Sequence, residues 1–527
     1  MADSQVASGA ANLNFGMESF YSNWVRTMHD EQLLGCDVVF PSDVDADVNN
    51  KSTQADSSTR RLPSRPPFYS CQGGLAPTGN ATGATSDVVP HGGWPGGFPA
   101  DPNWGMAIVV VPWEVWKRTG RTEIVREHYQ AARMFVDFLD FNGAHNQSTA
   151  CPRCTVGDAP LYTYSVYGDW NCVQVPPGGG TALSCNIDCV HRSASAFAHV
   201  LATSRMLDMA NILGNTAEVT HYTARLALLK TTYHRLFFDA SLGRYGTDGS
   251  ATTDSQSLQI FPLYLGVVPT EHEATVVNEL VTNIRSLGNH TNVGLIGSRY
   301  LLQVLSHYGH SELALAIATN PDPPGWGSMA TGTGSLHDAP GTIWENWCDT
   351  EGVGTSKNHP AFTGGIGSFM YELAGLAEEG DCSTGLVLRP LRGTLRQLGS
   401  AHLELEVPQG RLEFTWRYVE STSGVWQKFE ANVSLPARRL PKPVQLHIPV
   451  PASMPGRVLE IRDHDRVVWT SRVSSQANKS APTCSILRTG MTEIYLQYSI
   501  VQHAWTDIFG RSRYPQKWLG QPQVCDL

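Results

Sequence analysis

The sequence predicts a mainly α fold: an α/α toroid over residues 1–380, a C-terminal β-sandwich over 381–510, and a tail at 511–527. Three observations lead there. Segments with apolar residues at three- and four-residue steps follow one another in pairs, joined by short turns alternating with long loops. No strand–helix alternation of the kind that builds a parallel sheet interrupts them. Near Glu379-Gly-Asp-Cys382 the period changes from helical to two. A simple bundle would use fewer helices, so successive hairpins point to a toroid whose site lies where the long loops gather.

Helical periodicity begins at once in the small-residue start at Met1-Ala-Asp-Ser-Gln and runs on through Phe15–Met28. From Gly35 to Asp101 the chain is rich in Gly, Pro and Ser, a loop long enough to be functional or disordered. Its Ser/Asp/Asn/Arg part, Ser42–Ser64, is expected to be disordered, and Val88–Phe98 ordered, with Trp94 at a rim. Helices resume at Trp104–Lys117 and Ile124–Leu139. A Cys-rich insert spans Gly143–Asp188. Then come His191–Leu213, Thr216–Phe238, Asp254–Leu265, Glu271–Leu287, Ile296–Tyr308, Ser311–Ala318 and Phe362–Ala377. Beyond Leu386, period-two runs at His402–Val407, Arg411–Tyr418, Val444–Val450 and Val458–Arg462, broken by Pro and Gly, indicate the sandwich.

At 527 residues, 41% hydrophobic and 16% charged, the chain can bury a large core and more than one domain. A net charge of −10 without a basic run excludes a nucleic-acid surface. The apolar run Ile108–Trp113 falls far short of the roughly 20 residues that span a bilayer, so no membrane partner is expected. Fourteen Trp, beside 49 Gly and 32 Pro, suit a loop-rich enzyme or carbohydrate-binding surface.

Eleven Cys include a cluster at Cys151, Cys154, Cys172, Cys185 and Cys189. Cys151-Pro-Arg-Cys154 and Cys185-Asn-Ile-Asp-Cys189 have spacings that a four-ligand zinc site can use. Disulfides in a secreted loop are the preferred reading, because Asn-x-Ser/Thr triplets stand at Asn50, Asn80, Asn146, Asn289, Asn432 and Asn478. Met1–Ala11 has neither a basic n-region nor an apolar h-region and is no signal peptide. For an extracellular or secretory-pathway protein, the targeting signal is then expected upstream.

The chemistry concentrates in Gly341-Thr-Ile-Trp344-Glu345-Asn-Trp347 and Ser356-Lys-Asn-His359-Pro-Ala-Phe362. Aromatic rings flanking an acid are what a sugar site needs: indoles stack on pyranose C–H faces and the carboxylate handles a proton or a hydroxyl. The competing reading is two core indoles and a solvated helix-start charge. Three further clusters, Asp101-Pro-Asn-Trp104, Tyr167-Gly-Asp169-Trp170 and Gly325-Trp326-Gly, put an indole beside an acid or after a glycine, each behind a loop. Any one alone reads as a capped helix start with a core Trp; four together describe glycoside hydrolysis, with paired carboxylates among aromatics.

In order along residues 1–450, Asp101-Pro-Asn-Trp-Gly, Tyr167-Gly-Asp-Trp, Gly294-Leu-Ile-Gly, Gly325-Trp-Gly-Ser-Met, Thr342-Ile-Trp-Glu and Lys357-Asn-His-Pro-Ala-Phe resemble the catalytic region of bacterial-type α-L-rhamnosidases, glycoside hydrolase family 78. The resemblance implies an (α/α)6 barrel with a following β-sandwich, and inverting hydrolysis of terminal α-L-rhamnose from a rhamnosylated glycoside or polysaccharide. It implies no metal and no cofactor. Matched motif by motif, Glu345 is implied as the general base. Asp3, Asp101, Trp104, Asp169, Trp170, Trp326, Trp344 and His359 are implied to line or support the rhamnose pocket.

One departure matters. The family's general acid is the Glu of an Asp-Cys-Pro-x-Arg-x-Glu-x-x-Gly-Trp-x-x-Asp motif, and Met1-Ala-Asp3 resembles only its end. The Glu is therefore expected several residues before Met1, leaving Glu345 without a proton-donating partner within residues 1–527. Loss of leaving-group protonation costs about 10²–10⁴-fold in rate. The expectation is a truncated, impaired rhamnosidase; the alternatives are a non-catalytic rhamnose-binding protein and an (α/α)6 glycosidase for another sugar.

Overall fold

The computed structural model describes residues 1–34, 83–90, 101–145, 161–163, 165, 167–179, 183–187, 189–246, 254–333, 341–348, 356–360, 362–378, 380, 385–420, 426–436, 440, 442 and 444–447. It also gives the backbone of strands at 37–39, 68–70, 458–463, 466–472, 482–486, 493–501 and 523–526. Helices predominate. The chain divides into two compact units, one of Met1–Trp116, Arg121–Val304 and Ala316–Ile366, the other of Lys117–Gly120, Leu305–Leu315 and Gly367–Leu527. Several expectations lie outside the described residues: Ser42–Ser64, Trp94, Cys151, Cys154, the sequons at Asn50, Asn80, Asn146 and Asn478, and residues 448–450.

The first unit is organised on the helix His191–Leu213, buried almost continuously from Ser193 to Thr203. A helix apolar all round belongs at the centre of its domain. Phe197 stacks on Phe261 at 4.5 Å between centroids and meets Tyr300 edge-on at 5.1 Å. The helix ends because Gly214 takes a left-handed φ of 69°, which a side chain resists. The next helix, Thr216–Phe237, starts at once under the Asn215 side chain, which accepts from the Glu218 amide. On the other side lies Thr122–His145. There the Tyr162 amide donates to His199 Nδ1, so Nε2 carries the proton and donates to Asp140 Oδ1 at 2.9 Å. Arg225 donates to the same oxygen through Nε at 2.8 Å.

Helix ends depart from the sequence reading for local reasons. The first helical stretch is two helices, Ala2–Asn14 and Glu18–Leu34. Asn14 turns its side-chain amide back onto the Ala10 carbonyl and Phe15 goes extended just before Gly16. Trp104–Lys117 is likewise split into a short turn, Pro102–Gly105, and the helix Ala107–Thr119, because Asp101 caps the first and Pro sits at its start.

The helix Thr363–Ala374, whose first turn belongs to the first unit and whose remainder from Gly367 belongs to the second, stops at Gly375, whose φ is 110°. Strands Ser400–Val407, Gly410–Glu420 and Trp426–Ser434 then form an antiparallel meander extended by Glu493–Val501. The period-two pattern does what it predicts: Leu403, Leu405, Leu412, Phe414, Trp416, Phe429, Ala431 and Val433 are buried, while His402, Glu404 and Glu406 face water. A second four-stranded sheet runs Gln523–Asp526, Pro482–Ile486, Val444–His447, Val387–Leu388. Among the described residues no helix is long and apolar enough to cross a membrane.

Close helix packing in the first unit hangs on Gly364, where a Cβ would fall 1.9 Å from the Val6 carbonyl oxygen. Gly364→Ala should destabilise the protein by about 3 kcal/mol, the upper end of overpacking costs. An unchanged urea midpoint would show that the two helices can separate without loss.

Candidate active site

The loop 165–172 is the junction of the site. Its central residue, Asp169, is fully buried. Oδ1 accepts from the amides of Ile296 at 2.8 Å and Gly297 at 2.9 Å; Oδ2 accepts from the Gly294 amide at 2.8 Å and from the Ser257 hydroxyl. Those amides open the helix Leu295–His307, whose N-terminal dipole favours an anion. The two glycines make room: a Cβ at Gly297 would sit 2.7 Å from Asp169 Oδ2, and one at Gly294 2.2 Å from the Asp169 carbonyl oxygen. Burial pushes the Asp169 carboxyl above its usual range, opposed by these four donors. Both oxygens of Asp169 are thus spent on protein donors, and the residue fixes the loop, the supporting half of its expected role.

Asp101 has the same character. It is fully buried, Oδ1 caps the Asn103 amide at 2.9 Å, and Oδ2 accepts from the Ser165 hydroxyl and from the Tyr167 amide at 3.2 Å. It too anchors the loop through both oxygens. The loop so anchored carries the rings of Tyr167 and Trp170, which meet Trp104 at 4.3 and 6.4 Å between centroids and each other at 5.4 Å. Trp170 is half-buried, whereas Trp104 lies almost wholly inside.

The loop's far end reaches the acid of the Trp344-Glu345 motif: Asn171 Nδ2 donates to the Glu345 carbonyl at 2.9 Å. Glu345 is not a helix-start charge. Its backbone pairs with the segment 356–359 (Glu345 amide to Ser356 oxygen 2.9 Å, His359 amide to Ile343 oxygen 2.8 Å), and the Ser356 amide donates to Glu345 Oε2 at 2.9 Å. Among the described residues Oε1 makes no hydrogen bond. Glu345 and His359 are both half-buried, so both can meet a ligand. The neighbouring indoles are interior. Trp326 donates to the Phe362 carbonyl at 2.8 Å and Trp347 to Val293 at 2.7 Å, one residue before the Asp169 clamp. Trp344 is buried, its Nε1 unpartnered, with Lys357 Nζ 5.1 Å from its ring centroid. Asp3, half-buried, lies in the first turn of the first helix, where its charge acts on the Met1 amino group.

Cys172 and Cys189 form a disulfide across 17 positions, Cα atoms 6.1 Å apart. Together with Asp169 they make a cluster at metal-ligand spacing, but sulfurs joined to each other are not thiolate ligands. Cys348 is disulfide-bonded as well. Sequence reasoning missed Ser165, Asn171 and Ser257, because small polar residues signal nothing until a partner is beside them; Tyr167 and Ser356 stood inside singled-out motifs without a role, and Asn171 directly followed one.

The family described as bacterial alpha-L-rhamnosidase 6 hairpin glycosidase domain matches residues 1–374, well over half of the chain. The chain belongs to this rhamnosidase family. Curated α-L-rhamnosidases of Formosa agariphila and Streptomyces avermitilis are each 26% identical, over 329 and 320 residues. The matches cover 60% and 59% of this chain, and 32% and 27% of those proteins. The chain thus spans about a third of the length of the relatives it matches. Among solved structures, the α-L-rhamnosidase of Dictyoglumus thermophilum superposes with a TM-score of 0.67 at 20% identity, covering 94% of this chain and 45% of that one. The Streptomyces avermitilis α-L-rhamnosidase complexed with L-rhamnose superposes with a TM-score of 0.60 at 18% identity, covering 95% and 38%. At these identities the two superpositions support the rhamnosidase-family fold.

The clamp predicts a large stability loss. Asp169→Ala would leave three buried amides without an acceptor, at about 1–3 kcal/mol each when unrelieved. We expect Asp169→Ala to lower stability by about 4 kcal/mol and to quench the difference in tryptophan emission between native and unfolded protein. Opening the 17-position disulfide loop by replacing both cysteines, Cys172→Ser with Cys189→Ser, should cost about 3 kcal/mol relative to the oxidised wild type by chain entropy, read from denaturant midpoints of the two proteins.

Proposed function

We propose that this chain forms the sugar-binding and base side of an inverting glycosidase that removes terminal α-L-rhamnose from glycosides or polysaccharides. The observation that carries the proposal is the setting of Glu345: a half-buried carboxylate that accepts from the Ser356 amide, on a backbone that pairs with the His359 segment and accepts from Asn171 of the loop bearing Tyr167 and Trp170. Family membership supports the choice of sugar. In this reading Glu345 accepts a proton from a water as the water adds to the anomeric carbon, on the face opposite the departing oxygen. The two acids of such a pair stand roughly 6.5–9.5 Å apart to admit that water. Trp170 and His359 contact the sugar, Asp3 binds a hydroxyl, and Asp101, Trp104, Asp169, Trp326 and Trp344 hold those groups in place.

We also propose the finer architecture: residues 1–380 as an (α/α)6 barrel, 381–510 as a β-sandwich, and 511–527 as a tail. The same reading needs a proton donor, supplied by a Glu upstream of the residues matched here, without which turnover is slow. The Cys172–Cys189 disulfide supports an oxidising, secretory setting.

The test is a protein extended upstream through the acid-bearing motif, assayed on aryl α-L-rhamnosides. It should release rhamnose with inversion, at least about 10²-fold faster than residues 1–527 alone. Glu345→Gln in the extended protein should abolish turnover while rhamnose affinity measured by calorimetry stays within about threefold, as expected for a group acting in the transition state. Substantial residual activity would reassign the base; activity on glucosides alone would reject rhamnose; binding without turnover in the extended protein would favour a lectin-like role.

A further inference from the structure

Asn171 ties the anchored loop to Glu345, and its backbone is unusual. Its φ is 62°, in the left-handed region that most side chains resist. Among the described residues Val190 and Asn289 are the other non-glycine residues with positive φ. Asn171 precedes Cys172 and Val190 follows Cys189, so two of these conformations flank the two halves of one disulfide. Such conformations persist where the surrounding structure over-determines them. At Asn171 it does so on both sides. Before it, the Trp170 carbonyl accepts from the Leu295 amide at 2.7 Å, and the Asp169 carboxylate accepts from the amides of Ile296 and Gly297. After it, Cys172 is bonded to Cys189 and pairs with Ile187 on an antiparallel strand. Asn171 itself is 6% exposed.

The turn so held aims one amide. Asn171 Nδ2 donates to the Glu345 carbonyl at 2.9 Å, across 174 positions of chain. Gly, Asn and Asp are the residues that visit the left-handed region most readily. Gly has no side chain and ionised Asp only accepts, so of the three Asn alone supplies an N–H. On its other side Glu345 is tied to Ser356: its amide donates to the Ser356 carbonyl at 2.9 Å, and its Oε2 accepts from the Ser356 amide at 2.9 Å. Asn171 thus fixes the peptide that leaves Glu345 and Ser356 the peptide that enters it, and the Cα–Cβ direction between the two follows. We propose that Asn171 is a positioning residue for the base: its left-handed turn sets the Glu345 peptide, and with it the direction in which Oε1 meets the attacking water. The inference rests on the reading of Glu345 as the base.

The experiment uses residues 1–527 and α-L-rhamnosyl fluoride. Fluoride departs with the electron pair of the C–F bond and needs no proton donor, so the upstream acid is not required. The water oxygen bonds to the anomeric carbon, its proton passes to Glu345, and released fluoride is read with an electrode. Asn171→Gly keeps the turn and removes the donor. Its kcat should fall about 10- to 100-fold, as a base displaced by a fraction of an ångström to an ångström does, with KM within about threefold of wild type. Asn171→Ala loses the same bond and adds the left-handed penalty, so it should melt below Asn171→Gly yet match its kcat within about twofold. Asn171→Asp keeps the shape without the N–H, and its kcat should fall with that of Asn171→Gly; if Asn171→Gly does not fold, Asn171→Asp decides on the same terms. A wild-type kcat in Asn171→Gly, or a kcat that follows melting temperature from Asn171→Gly to Asn171→Ala, would overturn the positioning role. A wild type no faster than Glu345→Gln would instead overturn the base, and this proposal with it; a wild type faster than Glu345→Gln beside an unimpaired Asn171→Gly removes Asn171 alone.

Discussion

A buried carboxylate on the N-terminus of one helix is the constraint around which this site is built. Asp169 comes from a loop between helices, and its acceptors are met by the first amides of Leu295–His307, some 125 positions later in the chain. A loop this far from its partner would ordinarily wander, because closing it costs entropy and wins little apolar burial. The charge–dipole contact, four donors on two oxygens, gives the loop a specific resting place. Once Asp169 is fixed, the residues on either side have little freedom: Tyr167 and Trp170 must face Trp104, and Asn171 must reach the carbonyl of Glu345. The disulfide at Cys172 closes the same loop covalently.

Burial divides the motif residues into two kinds of work. Asp101, Asp169, Trp104, Trp326 and Trp344 are inside the protein, and a group that water cannot reach a sugar cannot reach without displacement. Asp3, Trp170, Glu345 and His359 are half-buried. A motif match by itself does not separate these classes, since a residue fixed for packing recurs in a family as reliably as one fixed for contact. The hydrogen bonds do separate them, because a carboxylate with both oxygens occupied has nothing left to offer a hydroxyl.

Much of the architecture could be read beforehand. His191–Leu213 and Thr216–Phe237 were legible because Gly214 and Asn215 carry the stop and start signals in their own chemistry. The strands Ser400–Val407 and Gly410–Glu420 were legible because one face is buried and the alternation has to be strict. The break at Phe15 and the short turn at Pro102–Gly105 were not, since periodicity runs across both and only a side chain folded back on the backbone decides them. At the site, Glu345 and the indoles were visible from composition. Ser257 and Asn171 were not, because their significance lies wholly in partners far away in sequence.

That asymmetry bears on how the residue we propose as the base is held. Among the described residues no Arg or Lys pairs with Glu345; its only side-chain bond there is the neutral Ser356 amide, and its backbone is fixed by Ser356 and Asn171. Glu345 is fixed through its backbone and one neutral amide instead of an ion pair. At the other acids the burden is reversed: Asp169 and Asp101 receive several donors each and are withdrawn from solvent. Donor count and burial, more than residue type, therefore separate the carboxyl we propose as the base from those that hold the loop in place.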